Sequence, residues 1–204
     1  HGGCTVSSPF ERQLQLVNAR ASELGMDCSS LGLAGAPVMF LAFSVRPEEK
    51  TPFTHEATKG LPEMLTLMKV PKEAVYMTNL HRTRTTPEGI KWVDFAFAEI
   101  KARAPKAVIL LGMDVAKAML PGLKDDLQHN RCARYRWPKR VEKSTFFITH
   151  DAANIRTDFG LTDKGMELAQ DIEAVLKTDQ EYYPVIRIVG GFAPIEEEGN
   201  AKSA

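Results

Sequence analysis

Between Arg131 and Lys143 the chain carries six basic residues (Arg131, Arg134, Arg136, Lys139, Arg140, Lys143) against one acid, Glu142. Tyr135 and Trp137 stand among them. Lys and Arg neutralise backbone phosphates and release counterions, and interleaved rings can stack on exposed bases. Arg82 and Arg84, with His81, could extend such a footprint. The same pattern also suits a solvated loop or edge strand whose long cationic side chains lie over apolar surface. A second candidate for chemistry is His150-Asp151, an imidazole beside a carboxylate, since histidine exchanges its proton near neutral pH. Lys+Arg and Asp+Glu both number 26. A globally basic nucleic-acid binder is thereby excluded, and any phosphate contact must be local.

These residues need elements to position them. Ser8-Pro9-Phe10-Glu11 combines a Ser N-cap, Pro at the first helical position and a Glu that completes a capping box; apolar spacing then runs to a stop at Gly25. Residues 26–36 read as a loop. Pro37 to Ser44 is a continuous apolar run, the pattern of a strand buried on both faces. A helix around Leu61–Met68 follows, then a strand from Val75 to Asn79. A helix opening at Thr85-Thr86-Pro87-Glu88 leads to a strand from Ala107 to Gly112 and a helix over Val115–Leu120. The Thr145–Thr149 strand precedes a helix from Asp163 to Lys177, and Pro184–Val189 forms a further edge strand. Alternating strands and helices predict an α/β fold, a three-layer α/β/α sandwich around a central, mainly parallel four-stranded sheet. Ligands of such folds bind at the carboxyl ends of the strands. Those ends are Phe43 to Arg46, Asn79 to Arg84, Gly112 to Asp114 and His150 to Arg156.

Several of these segments, taken in order, resemble the uracil-DNA glycosylase superfamily, especially its microbial branches. They are the Pro52-Phe53 loop after the first strand, the Thr78-Asn79 strand end, the Leu111-Gly112 turn, and His150-Asp151-Ala152-Ala153-Asn154-Ile155-Arg156. The resemblance covers residues 37 to about 177. It implies an enzyme that extrudes a pyrimidine from the DNA stack and hydrolyses its N-glycosidic bond, with no cofactor and no metal. Phe43, Ser44, Phe53 and Asn79 would then bind the base. Phe53 stacks on it, and the Asn79 amide reads N3–H and O4 together. His150 donates to O2, where charge builds as the bond breaks. Asn154, Ile155 and Arg156 fall where the superfamily wedges the duplex and holds a phosphate. Arg82, Arg84, Arg134, Arg136, Lys139 and Arg140 complete the expected DNA contacts.

Two departures stand out. The microbial iron–sulfur branch has an acid in its first motif that serves the attacking water, and Phe43 falls at or near its place. Glu48, Glu49, Glu56 and Asp151 are the candidate substitutes, with Asp151 preferred because it adjoins His150. That branch also holds its cluster with four cysteines. This chain has Cys4, Cys28 and Cys132, and Thr83 near one ligand position, so no cluster is expected. A base-modifying transferase and a DNA-binding relative without turnover are the alternative readings.

The 204 residues, 44% hydrophobic and 25% charged, suit one globular domain over 1–204 with flexible tails at 1–8 and 191–204. The cysteines form no Cys-x-x-Cys pair, and no apolar run reaches the ~18 residues of a membrane span. The expectation is a monomer in the cytoplasm, associated with the nucleoid, with DNA as partner and no membrane.

Overall fold

The computed structural model describes residues 7–27, 30–131, 133–190 and 195–198; all three cysteines lie outside them. Along the chain run α1 (Pro9–Glu23), β1 (Ser30–Gly32), β2 (Val38–Ser44), α2 (Gly60–Leu67), β3 (Val75–His81) and α3 (Trp92–Arg103). Then come β4 (Ala107–Leu111), α4 (Met113–Met119), α5 (Leu127–Arg131), β5 (Ala133–Trp137) and β6 (Val141–Thr149). A small hairpin of β7 (Arg156–Thr157) and β8 (Gly160–Leu161) precedes α6 (Asp163–Leu176), β9 (Val185–Ile188) and β10 (Glu196–Glu198).

The capping box forms as its sequence predicts. Glu11 N donates to Ser8 Oγ (3.2 Å) and Ser8 N to Glu11 Oε2 (2.7 Å). Gly25, at φ 65°, ends the turn after α1. The helix expected to open at Thr85 begins instead at Trp92. Gly89 stands at φ 80° in a turn closed by Ile90 N donating to Pro87 O (3.2 Å), a backbone path that a continuous helix excludes.

β3, β2, β4 and β6 pair in parallel, in that order, and are the four central strands the sequence predicts. Among the described residues the full sheet has eight strands, ordered β1-β3-β2-β4-β6-β5-β9-β10. β1 lies in the segment expected to be a loop, and the basic stretch forms β5 and its turn into β6. The Pro184–Val189 strand is not at the edge, because β10 pairs outside it. Part of the expected C-terminal tail therefore joins the sheet.

On one face α1, α3 and α4 bring Val17, Phe95, Ile100 and Val115 against Met39, Leu41 and Val108. On the other, Leu61 and Met64 of α2 with Leu168 and Ile172 of α6 cover Phe40, Ile109 and Phe147. The architecture is a three-layer α/β/α sandwich. The chain leaves β2 for β3 on one side and then crosses back to β4 on the other. Connections thus diverge between β2 and β4, and a crevice opens beyond their carboxyl ends.

Candidate active site

That crevice is a cleft of about 600 Å³. Ala42, Phe43 and Ser44 reach it from β2, Asn79 from β3, Leu111 through Asp114 from the β4 end, and Asp151 through Ala153 from the β6 end. The loop after β2 adds Arg46, Glu49, Phe53 and Thr58. Gly112 lets the β4 and β6 ends approach. It sits at φ 100°, and a Cβ there would lie 3.0 Å from the Asp151 Cβ.

Phe53 lines the cleft while only 4% exposed, and its backbone is left-handed at φ 57°. A bulky residue in that region is strained by about 1–3 kcal/mol and persists only where its surroundings over-determine it. Glu49 does so. Its buried carboxylate accepts from Arg46 N (2.9 Å), His55 N (3.1 Å) and Thr58 Oγ1 (3.0 Å), tying the loop on both sides of Phe53. Asn79 is 4% exposed, and among the described residues no hydrogen bond engages its amide. Its donor and acceptor are free for the edge of a ligand. Phe43 is 40% exposed and meets His81 edge-on at 5.0 Å; burial pushes the His81 imidazole below its ordinary range.

The carboxylates divide by their partners. Asp151 lines the cleft but pairs with Lys164 Nζ (2.6 Å) and accepts from Ala153 N (2.8 Å). Glu56 pairs with Lys59 on the surface, and Glu48 lies 3.8 Å from His55. Asp114, which the sequence reading reached only as part of a strand end, lines the cleft without an ion pair among the described residues.

His150 does not line the cleft with Phe53 and Asn79. Its Nε2 lies 2.5 Å from Glu167 Oε2 on α6. Arg131 Nη1 holds the same Glu167 oxygen at 2.9 Å and grips Asp171 through Nε and Nη2, both at 2.9 Å. Thr149 Oγ1 donates to Asp171 at 2.5 Å, and the Tyr182 hydroxyl also donates to it. The His150 hydrogen bond and the Arg131 charge hold the Glu167 carboxyl below the usual carboxylate range.

Most of the expected DNA contacts lie elsewhere. Arg82 is 2% exposed, paired with Glu99 in the core beside Phe95. Arg131 is consumed by Asp171 and Glu167. Arg134 lines a separate cavity with Phe147, Val175 and Tyr183 under the far end of α6. Arg136, Lys139 and Arg140 sit at the β5–β6 turn, at the start of β6. Nine residues of strand carry β6 to the cleft, about 26 Å at the usual rise. Arg140 pairs with Asp94 (2.8 Å) and lies 4.1 Å over the Phe97 ring. Tyr135 is fully buried and offers no face to a base, and the partly buried Trp137 packs at right angles to Phe97. Ile155, expected as a wedge, is 1% exposed in the core. Arg156 pairs with Glu63 (2.7 Å), and Arg84 donates to Leu24 O (3.1 Å) from an exposed loop.

Two features follow the cleft-lining segment Asp151–Ala153. Asn154, at φ 56°, donates its N–H to Ala57 O (2.7 Å) and so docks the segment after β6 onto the Phe53 loop. The β7–β8 hairpin that follows presents Phe159 fully exposed. A ring between Asp158 and Gly160 in an otherwise polar turn is the sequence signal for it.

Residues 31–172 match the Uracil DNA glycosylase superfamily. The chain belongs to that superfamily. The match runs from β1 into α6 and includes every residue lining the cleft, leaving α1, β9 and β10 outside. No curated protein is matched by the chain. At this level the protein is glycosylase-like and of a superfamily that acts on DNA. Among the described residues no helix is long and apolar enough to cross a membrane.

Proposed function

We propose that the protein is a DNA glycosylase that hydrolyses the N-glycosidic bond of a flipped uracil or modified pyrimidine. The observation that carries this reading is the meeting of Phe53 and Asn79, far apart in the chain, in one crevice at the divergent strand ends. A ring fixed by a strained backbone gives a planar ligand a rigid apolar face. An unengaged amide at 4% exposure distinguishes a pyrimidine's N3–H and O4 from a lone donor or acceptor, because a wrong edge leaves buried polar groups unpaired. A cleft of about 600 Å³ admits a base with its sugar.

Asp114 is the carboxylate best placed for water. Continuing the register of β2 on β4 (Leu41 opposite Leu110) sets Phe43 level with Gly112, so Asp114 stands just beyond the place vacated by the motif acid. It is unpaired among the described residues, whereas Asp151 is bound to Lys164. His150 is held by Glu167 in this arrangement, and donation to a base requires it to leave that partner. Phe159 takes over from Ile155 as the residue able to fill the space left by a flipped base, since it is fully exposed on the hairpin that follows the cleft-lining segment Asp151–Ala153.

The test is incubation of the purified protein with single- and double-stranded oligonucleotides carrying uracil or modified pyrimidines, followed by alkali and separation by length. Alkali-labile sites that Asn79→Ala reduces about 100-fold or more support the reading. Intact strands throughout, beside an active control glycosylase, overturn it, and a gain in nucleoside mass points to a transferase instead.

A further inference from the structure

We infer that Arg46, not His150, stabilises the negative charge that develops on the departing base; this rests on the glycosylase reading above. Arg46 lies two residues beyond the end of β2 and lines the cleft with Phe53 and Asn79. Its backbone is fixed by N–H donation to Glu49 (2.9 Å). Its Nε is buried and has no hydrogen-bond partner, and its guanidinium makes no ion pair among the described residues. A buried N–H left unpaired calls for an explanation, and in a candidate active site a bound acceptor is the direct one.

Arg46 is the one Lys or Arg among the described residues that line the cleft, and cations of the neighbouring elements are engaged. Lys164 holds Asp151 and Ala153 O, Arg131 holds Asp171 and Glu167, and Arg82 holds Glu99. The acids lining the cleft with Arg46 are Glu49, whose oxygens take three hydrogen bonds, Asp151, which is paired with Lys164, and Asp114. Glycosidic cleavage calls for this arrangement of charges. The C1′–N1 bond breaks with its electron pair passing to the base, whose O2 and O4 share the resulting charge. Water oxygen then bonds to the electron-poor C1′ and gives a proton to the Asp114 carboxylate. That proton passes through solvent to the pyrimidinate, leaving a neutral base and an abasic sugar. A guanidinium N–H that donates to the leaving base strengthens only as the bond breaks, which lowers the barrier without tightening ground-state binding.

The experiment compares Arg46→Gln, Arg46→Lys and His150→Ala with the unaltered protein in single-turnover excision of uracil, 5-fluorouracil and 5-nitrouracil from matched oligonucleotides. These bases leave as progressively more stable anions. Arg46→Gln should cost about 100-fold on uracil and under about 10-fold on 5-nitrouracil, with Arg46→Lys in between. His150→Ala should slow all three equally. A second arm titrates free uracil (neutral) and 5-nitrouracil (anionic at neutral pH) by calorimetry. The unaltered protein should prefer the anion and Arg46→Gln should lose that preference. Equal losses on all three bases together with unchanged anion preference overturn the inference while leaving the glycosylase reading intact. Leaving-group-dependent loss in His150→Ala overturns it as well. Absence of excision by the unaltered protein removes the reading, and the inference with it.

Discussion

Ile155 and Glu167 show how side-chain partners decide roles. Ile155 lies in the core against Leu168 and Ile172 neighbours, with Gly60 close enough that a Cβ there would stand 3.0 Å from its Cγ1. Ile155→Ala should therefore cost about 2–4 kcal/mol of stability in urea denaturation. The affinity for DNA should change little in the same variant, the reverse of what a wedge residue gives. Glu167 carries a pH signature. Its carboxyl is held below the usual range in the fold, so its stabilising contribution is complete above the unfolded carboxyl's range, about pH 4.3, and is lost as pH falls through the lower folded value. Thermal unfolding from pH 7 to 3 should show the unaltered protein losing more stability than Glu167→Gln, the two curves converging at the acid end. Parallel curves would show that the His150–Glu167 contact does not persist in solution.

At the scale of elements, the β7–β8 hairpin presents exposed apolar surface a few residues after the cleft-lining segment Asp151–Ala153. Phe159→Ser should leave folding unchanged, because the ring is fully exposed, and should cut excision from duplex DNA about 10-fold or more while sparing single strands. Equal loss on both substrates would remove Phe159 from base extrusion. The central strands were legible because they are continuous apolar runs, and α1 because Ser8 and Glu11 satisfy each other's backbone N–H groups, Pro9 removes an orphan donor and Gly25 takes the left-handed turn. β1, β9 and β10 were harder to place, since short mixed-polar strands owe their positions to backbone pairing with distant partners. The strand-end rule led to Asn79, and the resemblance added Phe53. It could not reveal that Glu167, 17 residues from His150, takes that ring. Nor could a count of basic residues show that β5 alternates, burying Ala133 and Tyr135 and sending Arg136 to the surface.

At the scale of the molecule, charge lies at two ends of one sheet. Replacing Arg136, Lys139 and Arg140 together by Ser should leave DNA affinity and its salt dependence nearly unchanged, measured by fluorescence anisotropy across a salt series. A fall in the salt slope would put the β5–β6 turn in contact with DNA and make the footprint far larger than the cleft. The contact between Gly165 and Ile155 has a wider consequence. A Cβ at Gly165 would strike the Ile155 carbonyl, so the segment leading into the hairpin is clamped against α6. Docked to the Phe53 loop on its other side, it has little room to yield. Under the glycosylase reading the protein is the anvil and the double helix is the part that bends. Sites whose stacking is already weak, such as mispairs and pyrimidine–purine steps, should then be processed ahead of well-stacked ones, a selectivity that owes nothing to base recognition.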